Sequence, residues 1–231
     1  MEFLIISIGL LFLLLVLWYI FQISIKRIKQ IGNNERLDKI VNELPTNKEI
    51  ARTMLKKLNN KDVKIKENEN TKASFYLVAT NSILIANIKD SYTRIQTIAH
   101  ECLHSAQEKK LLWFNYLFAN FMLLYYFLIL ILTAFGVIHY YLLHFAILSI
   151  LFFVQYAVRS FLETDAMTKA PYLAKEYLEN INLDKEKVDE IYSAYQELDK
   201  EGIKTVCYQL LVKQLIKLII YALLCFVLSV I

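Results

Sequence analysis

Four long apolar runs interrupt an otherwise charged chain. Phe3 to Ile23 contains no charged residue and, at roughly twenty residues, is long enough to cross a hydrocarbon core of about 30 Å as a helix. Leu111 to Ala134 and Ile138 to Val158 are two more such runs, parted only by Phe135-Gly136-Val137. Leu210 to Ile231 is the fourth, with Lys213 and Lys217 in its first two turns. The pattern predicts four transmembrane helices, the middle pair folded as a tight hairpin. A cleaved signal peptide is the poorer reading of the first run. Glu2 stands where a basic cluster belongs, the apolar stretch is too long, and no small-x-small cleavage site follows. It reads as a signal anchor.

Between the runs the periodicity changes. Ile25 to Leu44 is charged and irregular or helical, ending at Pro45. Thr46-Asn47-Lys48-Glu49 reads as a capping box, with Thr46 as N-cap and Glu49 reaching back to it. Ile50, Met54 and Leu58 give that helix an apolar stripe, and Asn59-Asn60 ends it. Asp62 to Lys66 alternates as a half-buried strand does, and Glu67 to Lys72 is a polar loop. Two β-rich runs, Ser74 to Ala79 and Ser82 to Ile88, joined at Thr80-Asn81, predict a hairpin. Asp90 or Ser91 is placed to cap the next helix. After the third apolar run, a helix over about 164–180 is expected to restart or kink at Pro171. Another covers about 185–199, and Gly202 marks the turn into the last run.

Composition adds that long uninterrupted helices are permitted: 57% of residues are apolar, with only 4 Gly and 2 Pro. Charge adds orientation. Lys26, Arg27 and Lys29 follow the first run, Lys109 and Lys110 precede the second, Arg159 follows the third, and Lys213 and Lys217 open the fourth. The opposite ends carry Glu2, His139 and His144 but no Lys or Arg. By the positive-inside rule both termini face out and both polar segments face the cytosol. The chain then divides into an anchor over 1–24, a cytosolic α+β segment over 25–110, a transmembrane hairpin over 111–158, a cytosolic helical segment over 159–209 and a final span over 210–231. This topology accounts for the net charge of +4 without a nucleic-acid partner. Cys102, Cys207 and Cys225 are odd in number and lie outside the predicted extracytoplasmic loops, which argues against a disulfide framework. His139 and His144, beside Tyr140 and Tyr141, read as interfacial anchors, as do Trp18, Tyr19, Trp113 and Tyr116.

The candidate chemistry lies in His100-Glu101-Cys102-Leu103-His104. Histidines at i and i+4 stand one above the other on a helix, so both imidazoles can reach one ion. A Glu directly after the first His reaches the remaining coordination position, where it can take a proton from a water acidified by zinc. Cys102 lies on the far side of the helix and should point away. A chance His-Glu-x-x-His turns up in about one protein per hundred, so the motif needs context. Here it follows a strand pair and sits on a helix. A catalytic zinc also needs a third protein ligand, and no other His lies on the cytosolic side. The membrane hairpin returns the chain at Arg159, just before Glu163-Thr164-Asp165-Ala166. On straight helices rising about 1.5 Å per residue, His104 and Glu163 would end about 8 Å out of level. A bend near Glu108 to Trp113, or a helix tilt, closes that gap, so Glu163 is the expected third ligand. Asp165 orients a ligand imidazole or caps the helix that follows.

With these residues in place, the chain resembles the neutral zinc metallopeptidases of bacterial membranes, an HExxH gluzincin-like family. The likeness covers most of the chain. It includes the N-terminal anchor, Glu49-Ile50-Ala51-Arg52 ahead of Val63, Ser82-Ile83-Leu84-Ile85, the Ala99-His100-Glu101 to Gln107 helix, Glu163-x-Asp165-Ala166, and a last helix opening near Thr205-Val206-Cys207-Tyr208. Leu103 stands where the family usually has Gly, and Lys72-Ala73-Ser74-Phe75-Tyr76 where it tends to have Asp-His-Tyr-Asp-Pro, which marks a divergent member. The resemblance implies His100, His104 and Glu163 as zinc ligands, Glu101 as catalytic base, and Tyr208 as the oxyanion donor. Arg159, close to Glu163 in sequence, is the other candidate donor.

The expected fold is a mostly α integral membrane protein with four transmembrane helices and a small cytosolic zincin-like α+β part. The expected function is that of a membrane-bound zinc-dependent endopeptidase, a hydrolase cutting protein or peptide substrates at the cytosolic face of the cell membrane. Ser82 to Ile88 is the natural edge strand to hold a substrate backbone. The alternative is a catalytically degenerate homologue serving as a membrane scaffold or adaptor. A transporter or channel is disfavoured, because the spans carry almost no interior charge.

Overall fold

The computed structural model describes residues 1–68, 70–71, 73–88 and 90–230. The Lys72 end of the expected polar loop and the Ile231 end of the fourth run therefore lie outside the described residues. The chain is mostly helical, with four long apolar helices and one small three-stranded sheet. The four helices long and apolar enough to cross a membrane are α1 (Glu2–Phe21), α6 (Lys109–Ala134), α7 (Tyr141–Asn180) and α8 (Lys185–Val230). Between α1 and α6 lie α2 (Ile25–Gly32), α3 (Glu35–Asn42), α4 (Asn47–Lys57), β1 (Lys64–Asn68), β2 (Phe75–Leu77), β3 (Ser82–Ala86) and α5 (Arg94–Ala106).

The chain folds into two compact units. One comprises 1–23, 113–161 and 204–231, and the other 24–112 and 162–203. In the first unit α8 is the most enclosed helix, with 39% of its apolar window buried against 6% for α1. Tyr221, Ala222 and Cys225 on α8 are fully buried with Leu148 and Phe152 of α7 and Met122 of α6. Outward-facing residues such as Leu15, Leu124 and Phe153 are large, apolar and exposed, as expected of surface that meets lipid. The α6–α7 turn falls at Gly136, whose φ of +68° is the left-handed conformation glycine adopts without strain. Helix α7 resumes at Tyr141 rather than at Ile138.

The second unit is built on α4, α5 and the sheet. The capping box at Thr46 forms as expected: Thr46 Oγ1 accepts from the Glu49 amide, and Glu49 Oε2 accepts from the Thr46 amide. Ile50 and Met54 from the expected stripe are buried, Leu58 packs against the same core, and Asn59 in the left-handed region ends the helix. The segment after the anchor forms two short helices, α2 and α3. In the sheet, β3 lies between β1 and β2, parallel to β1 and antiparallel to β2. The expected hairpin is present as β2–β3, turned by a 3-10 segment and Asn81 at φ +44°.

Several expectations need correction. Strand β1 runs to Asn68, so Glu67 belongs to it and not to a loop. The Ser82–Ile88 run is no edge: β3 is paired on both sides and buried on both faces, as its Ile-rich composition demands. Neither Asp90 nor Ser91 caps α5, which begins at Arg94 after Thr93; Ser91 Oγ instead accepts from the Thr93 amide. Pro171 starts no new helix. It lies inside α7, where it removes one hydrogen-bond donor from a helix that is otherwise held by its packing. Nor does Gly202 make a turn. It lies within α8, where a Cβ would come within 2.9 Å of Met167 Cε, so its lack of a side chain lets α7 and α8 approach closely.

Candidate metal centre

Helix α5 is amphipathic and carries the motif. Ile95, Ile98, Ala99 and Cys102 fill the core of the second unit, and the Cys102 thiol lies 3.8 Å from the Ala51 carbonyl. Cys102 thus points away from the histidines, as its helical angle requires, and burial pushes its thiol pKa up. Helix α5 ends at Gln107, whose extended backbone (ψ 165°) breaks the path before α6 begins at Lys109. That break falls one residue before the stretch from Glu108 to Trp113 expected to bend, and α6 is helical from Lys109 onward.

His100, His104 and Glu163 come together, the one group among the described residues with the composition and spacing to hold a metal ion. His100 Nε2 and His104 Nε2 are 3.0 Å apart, and Glu163 Oε2 lies 3.3 Å from the first and 3.5 Å from the second. Donors bound about 2.0–2.1 Å from a tetrahedral ion stand about 3.3 Å from one another. The three edges are therefore those of one face of a coordination tetrahedron. Three lone-pair-bearing atoms this close, all largely enclosed, repel one another unless a cation lies between them. The donor set fits a metal ion.

His104 is oriented by a residue that the sequence reading assigned no role. Gln107 Oε1 lies 2.9 Å from His104 Nδ1, while Gln107 Nε2 donates to the Leu162 carbonyl at 2.8 Å and to Asp165 Oδ2 at 3.0 Å. Two acceptors facing Nε2 fix the orientation of the amide, so Oε1 must accept from His104 Nδ1–H. The Nε2 lone pair of His104 is then free for a metal. The signal was available in the spacing: His100, His104 and Gln107 stand at i, i+4 and i+7, on one helical face. Asp165 reaches the imidazole only through Gln107 and is also paired with Lys169. It caps no helix, because α7 runs straight through it. Hydrogen bonds from Gln107 and Lys169 outweigh its partial burial and hold its carboxyl below the usual range.

Glu101 is 6% exposed. Burial raises its pKa, opposed by the neighbouring histidines and by the backbone of Tyr76 on β2. Burial disfavours a charged His104, but Glu163, together with Glu101 and Gln107, more than compensates and raises its pKa, so the cluster attracts positive charge. The two candidate oxyanion donors belong to the other unit. There Tyr208 packs against Trp18 and Phe21 and its hydroxyl donates to the Leu14 carbonyl at 3.4 Å, while Arg159 lines a cavity with Lys213 and Lys217.

Comparison with known proteins returns no match. No family model fits the chain, and no curated protein or solved structure matches it. The chemistry of the site must carry the functional reading.

Proposed function

We propose that the protein is a membrane-bound zinc endopeptidase, a divergent relative of the neutral zinc metallopeptidases it resembles in sequence. The observation that carries the reading is the triangle of His100, His104 and Glu163 donor atoms with Glu101 on the same helix. Two imidazoles and one carboxylate are a donor set used by catalytic zinc in peptidases. When bound, zinc supplies Lewis acidity, acidifying water and polarising a peptide carbonyl.

The remaining work falls to the chain itself. Glu101, buried and with its pKa raised, is suited to take a proton from the attacking water and pass it to the leaving amine. Strand β2, an edge of the sheet whose Tyr76 backbone lies against Glu101, replaces β3 as the strand to which an extended substrate would add. A zincin-like arrangement is part of the proposal, with peptide-bond hydrolysis as its chemistry. The one-sided distribution of Lys and Arg supports a cytosolic site and a membrane-associated protein or peptide as substrate.

The test is zinc content of the purified full-length protein together with casein or model-peptide cleavage. We expect one zinc per chain, retained in Glu101→Gln, with turnover in that variant reduced at least about 10²–10⁴-fold. Metal-free protein, or cleavage untouched by the substitution, would sink the proposal. Stoichiometric zinc without turnover on any substrate would favour the scaffold or adaptor reading.

A further inference from the structure

Outside the metal centre, a strongly basic concavity belongs to the unit that carries the four long apolar helices. A cavity of about 470 Å³ lies between α7 and α8, within the size range of small-ligand sites. Its polar lining consists of Gln155, Tyr156 and Arg159 from α7 and Lys213, Gln214 and Lys217 from α8. Three of these six are cations, and no carboxylate lines the cavity.

Lys213 and Lys217 are one turn apart on α8, an arrangement of like charges that opposes helix stability unless an anion lies between them. Among the described residues neither lysine forms an ion pair. Lys217 donates one of its three N–H groups to Gln214 Oε1 at 3.3 Å and rests 5.1 Å from the Phe152 ring, both neutral partners. The site therefore concentrates positive charge and N–H donors where the apolar run of each helix meets its polar end. On the same two helices Phe153, Ile216 and Ile220 are large, apolar and exposed. An anion that also carries apolar chains satisfies both surfaces.

We propose that this cavity binds the phosphate headgroup of an anionic phospholipid, its acyl chains lying along the exposed apolar side chains of α7 and α8. Basic pockets between transmembrane helices select such headgroups by charge, each Lys or Arg adding to the attraction. The lysines that carry the proposal, Lys213 and Lys217, have no part in the metal centre or in the proposed peptidase chemistry.

Native mass spectrometry of the delipidated full-length protein, titrated with phosphatidylglycerol, phosphatidylcholine or sodium phosphate, tests this. Phosphatidylglycerol should bind at least about tenfold more tightly than phosphatidylcholine, and sodium phosphate should neither bind nor compete at the same concentration. Lys213→Gln/Lys217→Gln should weaken phosphatidylglycerol binding about thirtyfold, and Lys213→Gln alone, at an exposed side chain, about fivefold. Lys109→Gln/Lys110→Gln, an equal loss of charge at another basic pair, should leave it intact. Equal binding of the two lipids, unchanged binding in the Lys213 variants, an equal loss in the Lys109/Lys110 control, or displacement of lipid by free phosphate would each overturn the assignment.

Discussion

Gln107 follows His104 by three residues and uses both ends of its amide, accepting from the imidazole and donating to the chain that carries Glu163. Its loss removes the partner that fixes the His104 tautomer and one of the bonds holding α7 beside α5. Gln107→Ala should lower zinc affinity about 10–100-fold, read by competition with a chromophoric chelator. Asp165→Asn keeps an acceptor for Gln107 Nε2 and should change affinity by no more than a few-fold. Equal effects of the two substitutions would overturn the orienting role assigned to Gln107. Glu163 is the proposed ligand that depends most on its surroundings, since it lies 59 residues beyond His104 in the chain.

Two buried polar groups show what holds α5 among its neighbouring elements. Arg94, 1% exposed, donates to the carbonyls of Val41, Leu44 and Pro45 and to Asn47 Oδ1, so a single guanidinium satisfies the end of α3 and the start of α4. A lysine has no planar fork to reach these acceptors together. Arg94→Lys should cost about 2–4 kcal/mol, measured by thermal or chaotrope unfolding of the full chain. At the α5–α8 contact, Gln96 Nε2 donates to Asp199 Oδ1 at 2.6 Å, and burial raises the Asp199 pKa to about 7 despite that bond. The folded protein therefore holds a proton that the unfolded chain releases at about pH 4. Its contribution favours folding fully below that pH and is lost as pH rises toward 7. Asp199→Asn removes this dependence. Its melting temperature should exceed that of the parent by about 2–4 °C at pH 8, and the difference should shrink as the buffer approaches pH 5. Parallel profiles would refute the assignment.

At the scale of the whole molecule, a metal held by α5 and α7 would act as a crosslink within the second unit. A ligand that binds only the folded state at about a hundredfold above its dissociation constant adds about 2.7 kcal/mol. Chelation should therefore lower the melting temperature of zinc-loaded protein by about 5–10 °C. His104→Ala should melt at the same temperature with and without chelator. If the parent protein were equally indifferent to chelator, the metal would have no part in holding this unit together.

The sequence alone determined whatever depends on local chemistry or on simple periodicity. Apolar runs long enough to span a bilayer specify four long helices, because a helix satisfies its own backbone in any apolar medium. The i, i+4 spacing puts His100 and His104 on one face, and a Thr-to-Glu interval specifies the cap at Thr46. The hairpin near Gly136 made Glu163 a reasonable third ligand, since a chain that must return brings its next residues back toward its start. Tertiary structure decided the rest. Pro171 and Gly202 are breakers by local preference, yet α7 and α8 continue through them, because packing over many turns outweighs one missing bond and close approach favours an absent side chain. Strand order made β3 central and β2 an edge, which no strand's own pattern reveals. The link from His104 through Gln107 to Leu162 and Asp165 joins residues far apart in sequence, so it exists only once α5 and α7 are packed together.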